Sequence, residues 1–391
     1  MSTFKSLKKN VRQYAKQLFY SLSDVRIKKR VEIRPNTLVI VRNDNIGDYI
    51  LFRNFLPQLR NSEKYKHYKI VLIGNIVWKG IAQTMDGEFY DEMIWVNFKK
   101  LARDFGYRSK TMKLLTAVGY EELFYPVYSG DYFTENFLIA KLKARFKIKP
   151  ASEYNNSTHV FNRLLPSAEG GMFELLRYRE MVELLTSETI PEIKGLPIYE
   201  KNEHTPALLP AKKYVVLFPG ASAYLKRWPT EYLAQVATYI LKHSAYRIVI
   251  AGGAGDKKYA KAIKKALPKA YDFRFFDLTG RTSLQELAQL VNESDLLITN
   301  DSVPIHIAAL YNKKAICVLM GENYGRFAPY PTSLYANGTF LFAPEVTKRI
   351  NDTSEHFLNL SHNPDIKTIL PDEVIALLDS MLNIAVALEV R

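Results

Sequence analysis

Apolar positions in this chain fall into short unbroken runs that stop on Gly, Asn, Asp or Ser, and segments of helical period lie between them. Thr37–Val41, Lys69–Gly74, Glu92–Val96, Tyr214–Phe218, Arg247–Ala251, Leu296–Thr299 and Lys314–Met320 read as buried strands. Ile50–Arg60, Phe173–Leu185, Pro229–Lys242, Lys257–Leu267, Leu284–Asn292 and the residues after Ser302 place apolar side chains three and four apart, as helices do. Unbroken apolar strands alternating with helices predict parallel sheets covered on both faces, an α/β doubly wound architecture.

The chain has 391 residues, too many for one ordinary core, so two domains are expected. Residues 1–34 form a basic amphipathic extension, with Phe4, Leu7, Val11, Tyr14, Leu18, Leu22 and Val25 at helical spacing among Lys5, Lys8, Lys9, Arg12 and Lys16. A first domain covers 35–190. The four-proline stretch 191–210 reads as a linker, 211–370 as a second domain, and 371–391 as a terminal helix opened by Pro371-Asp372-Glu373. Residues 98–149 alternate basic, aromatic and apolar side chains without a clear period; helices and loops are expected there.

Several strand ends carry polar turns suited to chemistry. In Ser294–Ala309 the run Leu296-Leu297-Ile298-Thr299 breaks at Asn300-Asp301-Ser302 and a helix begins, with Asp301 or Ser302 as N-cap. A helix start there offers free N–H groups and a positive dipole end to an anion, and His306 follows within its first turn. After the first strand comes Arg42-Asn43-Asp44-Asn45-Ile46-Gly47-Asp48, where Asp48 is either a helix cap or a carboxylate aimed at a ligand. Further signals are Pro219-Gly220-Ala221-Ser222 with Lys226-Arg227-Trp228-Pro229, and Gly252-Gly253-Ala254-Gly255-Asp256. The latter lacks the spacing of a dinucleotide fingerprint. Thr282 or Ser283 caps the next helix, with Glu286 placed for a capping box.

Charge narrows the partners. The net charge is +14, and the first 34 residues hold ten Lys/Arg against only Asp24 and Glu32. Further clusters are Lys99, Lys100, Arg103, Arg108, Lys110 and Lys113, then Lys141, Lys143, Arg145, Lys147 and Lys149. Such faces suit phosphate, acidic sugar, anionic lipid or nucleic acid, or are simply solvated. The extension either lies on an anionic membrane surface or packs on the body. Cys317 is the only cysteine, so a disulfide framework is excluded and a reducing cytoplasm fits. No run approaches the ~20 apolar residues of a spanning helix, and no signal-peptide pattern opens the chain. The expected location is cytoplasmic, peripheral on the inner face of the membrane.

Together these segments resemble the bacterial heptosyltransferases of glycosyltransferase family 9. The resemblance rests on Arg42/Asp44/Gly47/Asp48, the Pro219–Pro229 segment, Gly252–Asp256, Thr279–Val291 and Asn300–Ala309. It implies a GT-B fold, two Rossmann-like domains facing each other across a cleft, and inverting transfer from a nucleotide sugar, ADP-heptose above all, to a lipopolysaccharide core or related glycan. It assigns Asp48 as general base, favouring that role over the cap, and Lys226 as the phosphate lysine. On the donor side it groups Gly220, Ser222, Asp256, Thr282, Asp301, Ser302, Val303 and His306, the last touching phosphate or bracing the turn. On the acceptor side it groups Arg42, Asp44 and Gly47, Arg42 orienting the turn or meeting an anionic acceptor. Trp228 reads as packing. Members usually carry Gly where this chain has Val303, so either the turn uses ordinary dihedrals or the donor sits differently. No D-x-D triplet occurs, so neither a metal nor another cofactor is expected, and Lys226 with helix dipoles would do that electrostatic work. Another nucleotide sugar, for O-antigen, capsule or protein, is the alternative. A nucleic-acid-binding protein is the remote one, since no recognition helix or aromatic platform is present.

Overall fold

A computed structural model describes residues 14–25, 27, 30–152, 157–167, 171–193, 196, 213–322, 324–353, 360 and 362–382. Phe4, Leu7 and Val11 of the extension, most of the expected linker and the end of the expected terminal helix lie outside the described residues. The chain divides into two compact units, one of Met1–Glu169 and Arg177–Ile190, the other of Gly170–Leu176 and Pro191–Arg391.

The first unit holds a parallel sheet of β1 (Ile33–Arg42), β2 (Lys69–Asn75), β3 (Glu92–Val96), β4 (Gly119–Phe124), β5 (Lys143–Pro150) and β6 (Arg163–Leu165), in the order β3-β2-β1-β4-β5-β6. Leu38 of β1 pairs with Ile70 on one side and Glu122 on the other. The run 38–41 is buried on both faces, which is why it reads as continuous rather than alternating. Val39, Val41, Val71, Ile73 and Leu123 form one face's core.

The second unit repeats the plan with β7 (Tyr214–Phe218), β8 (Arg247–Ile250), β9 (Phe275–Asp277), β10 (Leu296–Asn300), β11 (Ala315–Leu319) and β12 (Gly338–Phe342), ordered β12-β11-β10-β7-β8-β9. Val215, Leu217, Ile248, Ile298 and Ile316 pack with Trp228, with Ile240 of the helix Thr230–His243, and with Val374 and Leu378 of Pro371–Leu382. Cys317 lies inside β11, fully buried, its thiol pushed up by that burial. In each sheet the order reverses beside the first strand, between β1 and β4 and between β7 and β10. Ligands of doubly wound sheets bind outside the carboxyl ends of the strands at that reversal.

Two expectations need correction. Residues 98–149 contain two full strands, β4 and β5, besides the helix Phe105–Leu115. Ile50–Arg60 is not one helix: Ile46–Phe52 gives way to a tight turn, Arg53–Phe55, and a new helix, Leu56–Asn61, starts with Pro57 in its first turn. Proline has no N–H and obstructs the preceding turn, so the helix restarts there. The described part of the extension, helical over 14–23, packs on its own unit. Tyr20 and Asp24 are buried, Asp24 sits 2.6 Å from Arg108, and the Arg108 guanidinium lies 3.9 Å over the Tyr20 ring. No helix among the described residues is long and apolar enough to cross a membrane.

Candidate active site

At the carboxyl end of β1 the turn is built around Arg42, whose side chain is fully buried. Its guanidinium donates to Pro126 O (3.1 Å) and to the Tyr178 hydroxyl (3.1 Å), pairs with Asp44 (2.6 Å), and lies over the rings of Phe52 and Tyr178. The guanidinium is therefore engaged within the turn and its first-unit neighbours. Burial pushes the Asp44 carboxyl up to about 7, with Asp48 adding to the rise and Arg42 opposing it. The backbone of the turn is held from outside: Asn75 donates to Asn43 O and Asp44 O, and the Trp78 indole donates to Asp44 O. Tyr125 and Thr134 bind the Asn43 amide.

Asn45, not Asp48, is the N-cap of Ile46–Phe52. Asp48 stands at the third helical position, half-buried, close enough in charge to act on both Asp44 and Arg42. Gly47 is buried in the same turn and has no positive φ.

In the second unit, four strand ends converge. Lys226 Nζ lies 2.6 Å from Asp301 Oδ2, both side chains about a quarter exposed, so the loop after β7 meets the turn after β10 through an accessible ion pair. Ser302 is the N-cap of Val303–Leu310 by backbone geometry, although its hydroxyl caps nothing. Val303 opens the helix without positive φ, so the side chain that replaces glycine here carries no backbone strain. Gly220 and Gly252 flank Asp256, whose Oδ2 accepts from Gly253 N (2.8 Å). A Cβ on Gly220 would sit 2.5 Å from that oxygen, so glycine is what lets the carboxylate close between the two loops. Gly280 at φ 67° brings the loop after β9 against Ala254. Ser222 is exposed on the first loop and Thr282 half-buried on the third. Ser283 and Glu286 form the expected capping box.

His306 is buried, its Nδ1 2.6 Å from the Tyr330 hydroxyl, and burial lowers its pKa to about 4. The contact ties the helix Val303–Leu310 to Tyr330. Trp228 is packed, its indole donating to Ile369 O (2.8 Å).

Two positioning residues escape a reading of the sequence. Asn300 donates to Pro219 O (2.8 Å) and accepts from Trp228 N (3.0 Å), stitching the β7 loop to the end of β10. Arg227 donates to Ala221 O and to the Tyr259 hydroxyl. The one signal was their place, flush against Asp301 and Lys226. Among the described residues no group of three His, Cys, Asp or Glu is arranged to hold a metal ion.

Two parallel six-stranded sheets of this order define the GT-B class of α/β proteins, and the solved structures agree. A glycosyl transferase family 9 protein from Veillonella parvula superposes with a TM-score of 0.66 at 20% identity, covering 91% of this chain and 99% of that one. Escherichia coli heptosyltransferase WaaC with ADP gives 0.63 at 16% identity, covering 89% and 99%. The sequence profile of glycosyltransferase family 9 (heptosyltransferase) matches residues 151–355, more than half the chain. The chain belongs to that family. Lipooligosaccharide heptosyltransferase 2 of Haemophilus influenzae is 31% identical over 146 residues, 37% of this chain and 41% of the relative. The chain spans about half the length or less of the curated relatives it matches.

Proposed function

We propose that the protein is an inverting glycosyltransferase that moves a sugar, heptose from ADP-heptose, to a lipopolysaccharide core or related lipid-linked glycan. The second unit holds the nucleotide sugar and the first presents the acceptor and the base. The observation that carries this reading is the Lys226–Asp301 pair at the reversal of the second sheet, beside the start of Val303–Leu310. Asp301 holds the ammonium in place without enclosing it. A diphosphate arriving there meets a fixed cation and unpaired helix N–H groups.

In the reaction Asp48 takes the proton of the acceptor hydroxyl as its oxygen bonds to the anomeric carbon. The bond from that carbon to the diphosphate oxygen breaks on the opposite face, and ADP leaves with the electron pair. Lys226, Ser302 and the helix start stabilise the charge that gathers on the leaving oxygens, so the step needs no metal. Arg42 and Asp44 keep the turn before Asp48 in position. The acceptor would be met at the inner face of the cytoplasmic membrane.

The test is a transfer assay with purified chain, a panel of ADP-, GDP- and UDP-sugars, and Asp48→Asn. Proton transfer by a positioned base contributes about 10²–10⁴-fold, and the variant should lose turnover on that scale while ADP binding is unchanged. Full turnover in Asp48→Asn removes the base. A response to another nucleotide sugar alone keeps the chemistry and replaces the donor.

A further inference from the structure

A pocket that the transfer chemistry leaves unused lies within the second unit, beside the loop that carries Lys226. Its cavity of about 530 Å³ is walled by Tyr224 and Leu225 of the tight turn Tyr224–Lys226, by the first turn of Thr230–His243, by Tyr259 of the helix Lys257–Ala266 and by residues 363–367. That volume falls within the range of small-molecule sites, about 300–1,000 Å³. None of Gly220, Ser222, Lys226, Asp256, Thr282 and Ser302 lines it, so it is separate from the place assigned to the nucleotide sugar. The loop after β7 joins the two, with Lys226 turned to Asp301 and Tyr224, Leu225 and Arg227 lining the pocket.

The lining has two kinds of surface. Trp228, Pro364 and Ile366, all buried, supply an apolar base, and beside it the Tyr224 ring stands 71% exposed. Around this runs a polar wall that is charge-balanced among the described residues, Arg227 and Lys367 against Glu231 and Asp365. Arg227 is fixed there: it donates to Ala221 O (3.1 Å) and to the Tyr259 hydroxyl (2.7 Å), and its guanidinium lies 5.4 Å over the Tyr259 ring. A hydroxyl oxygen that accepts from a guanidinium turns its own proton elsewhere, so Tyr259 faces other groups as a donor. Asp365 takes Lys367 N on one oxygen (3.0 Å), which orients its carboxylate, and Glu231 is exposed on the first turn of its helix.

We propose that this pocket is a second carbohydrate-binding site, seating one neutral pyranose ring of a glycan with its C–H face on Tyr224 and its hydroxyls on Glu231, Asp365 and Tyr259. A pyranose is apolar on its ring faces and hydroxylated at its edge, and an exposed aromatic ring beside carboxylates and a phenol matches both. A phosphate would be set against both acids and a cation against both bases. A wholly apolar ligand would cover the polar wall without giving it partners. The inference goes beyond the transfer site, and it rests on the reading above only for the choice of a glycan as what brings such a ring to the protein.

The test uses the full chain in saturation-transfer NMR with the methyl glycosides of glucose, galactose and mannose, titrated with and without saturating ADP. At least one glycoside should receive saturation, and ADP should leave that signal in place. Tyr224→Ala removes the stacking face and should weaken binding about fivefold. Glu231→Ala removes a charged acceptor and should weaken it about tenfold or more. Both side chains are exposed, and ADP affinity, measured alongside, should stay at the wild-type value in each variant. Asp48→Asn should bind the glycoside as wild type does, so failure of the transferase reading and failure of this one are told apart. A chain to which no glycoside transfers saturation overturns the proposal. So does wild-type glycoside binding in either Tyr224→Ala or Glu231→Ala, or loss of the signal on adding ADP or inorganic phosphate.

Discussion

Asn300→Ala tests whether the loops that carry Lys226 and Asp301 form a preorganised unit or move independently. The Asn300 amide is buried, donates to Pro219 O at 2.8 Å and to Gly220 O at 3.4 Å, and accepts from Trp228 N at 3.0 Å. Deleting it removes two short bonds worth about 1 kcal/mol each and a longer one to Gly220 O, and strands a buried carbonyl and a buried N–H, at about 1–3 kcal/mol per orphaned group. Because partial relaxation recovers some of that, we expect a loss of about 3 kcal/mol. The effect should be local, since both partners lie in the loop that carries Lys226. Hydrogen-exchange mass spectrometry of peptides from β7 through Trp228 and from β10 would give the opening free energy region by region. ADP binding by calorimetry would give the functional consequence, a fall of at least about tenfold as Lys226 loses its fixed partner loop (about 1.4 kcal/mol per decade). An opening free energy within about 0.5 kcal/mol of wild type, the range of a neutral surface change, would refute the reasoning. Loss of ADP affinity without change in exchange would also refute it, because the proposed link runs through loop order.

Three further outcomes are expected. His306 titrates at about 4 in the fold and near 6.5 when unfolded, so the unfolded chain binds its proton first as pH falls. Its stabilising contribution is complete above pH 6.5 and lost between 6.5 and 4, by up to about 3 kcal/mol; because Asp44, pushed up to about 7, titrates with the opposite sign in both proteins, the slope should appear in the difference between urea titrations of wild type and His306→Phe across that window. Val303→Gly, restoring the residue usual in the resembled motif, should cost up to about 1 kcal/mol in helix propensity and leave ADP affinity within about twofold, since no positive φ is relieved. Lys149→Met leaves Glu135 buried opposite an apolar group and should destabilise by about 3–5 kcal/mol, most of which Lys149→Met/Glu135→Gln recovers in the same thermal scan.

The strands that were legible in advance are those buried on both faces. Leu38–Val41, Val215–Leu217 and Leu296–Thr299 carry unbroken apolar runs because helices cover each side. β5 escaped because its first half faces solvent and its inward positions are interrupted by Lys143, Lys147 and Lys149, the last neutralised by buried Glu135 rather than by water. β6 and β9 are three-residue strands at the sheet edges, too short for any period, and β12 is only half-buried. Within the site, Asp48, Lys226 and Asp301 were visible because charged residues at strand ends stand out. Arg42 was visible as a charge but not as an interior one. Its partners Tyr178 and Pro126 are 136 and 84 residues away, and only the fold brings them together. Asn300 and Arg227 act through backbone carbonyls, which leave no mark on a sequence.

The single thiol of this chain, sealed within β11 and held in its unreactive protonated form, leaves the molecule chemically silent toward maleimides and iodoacetamides. One new cysteine at the Leu18 position would therefore be the sole point of attachment for an environment-sensitive dye. A blue shift on mixing with vesicles would then report what that one position touches, without any native residue having to be silenced first.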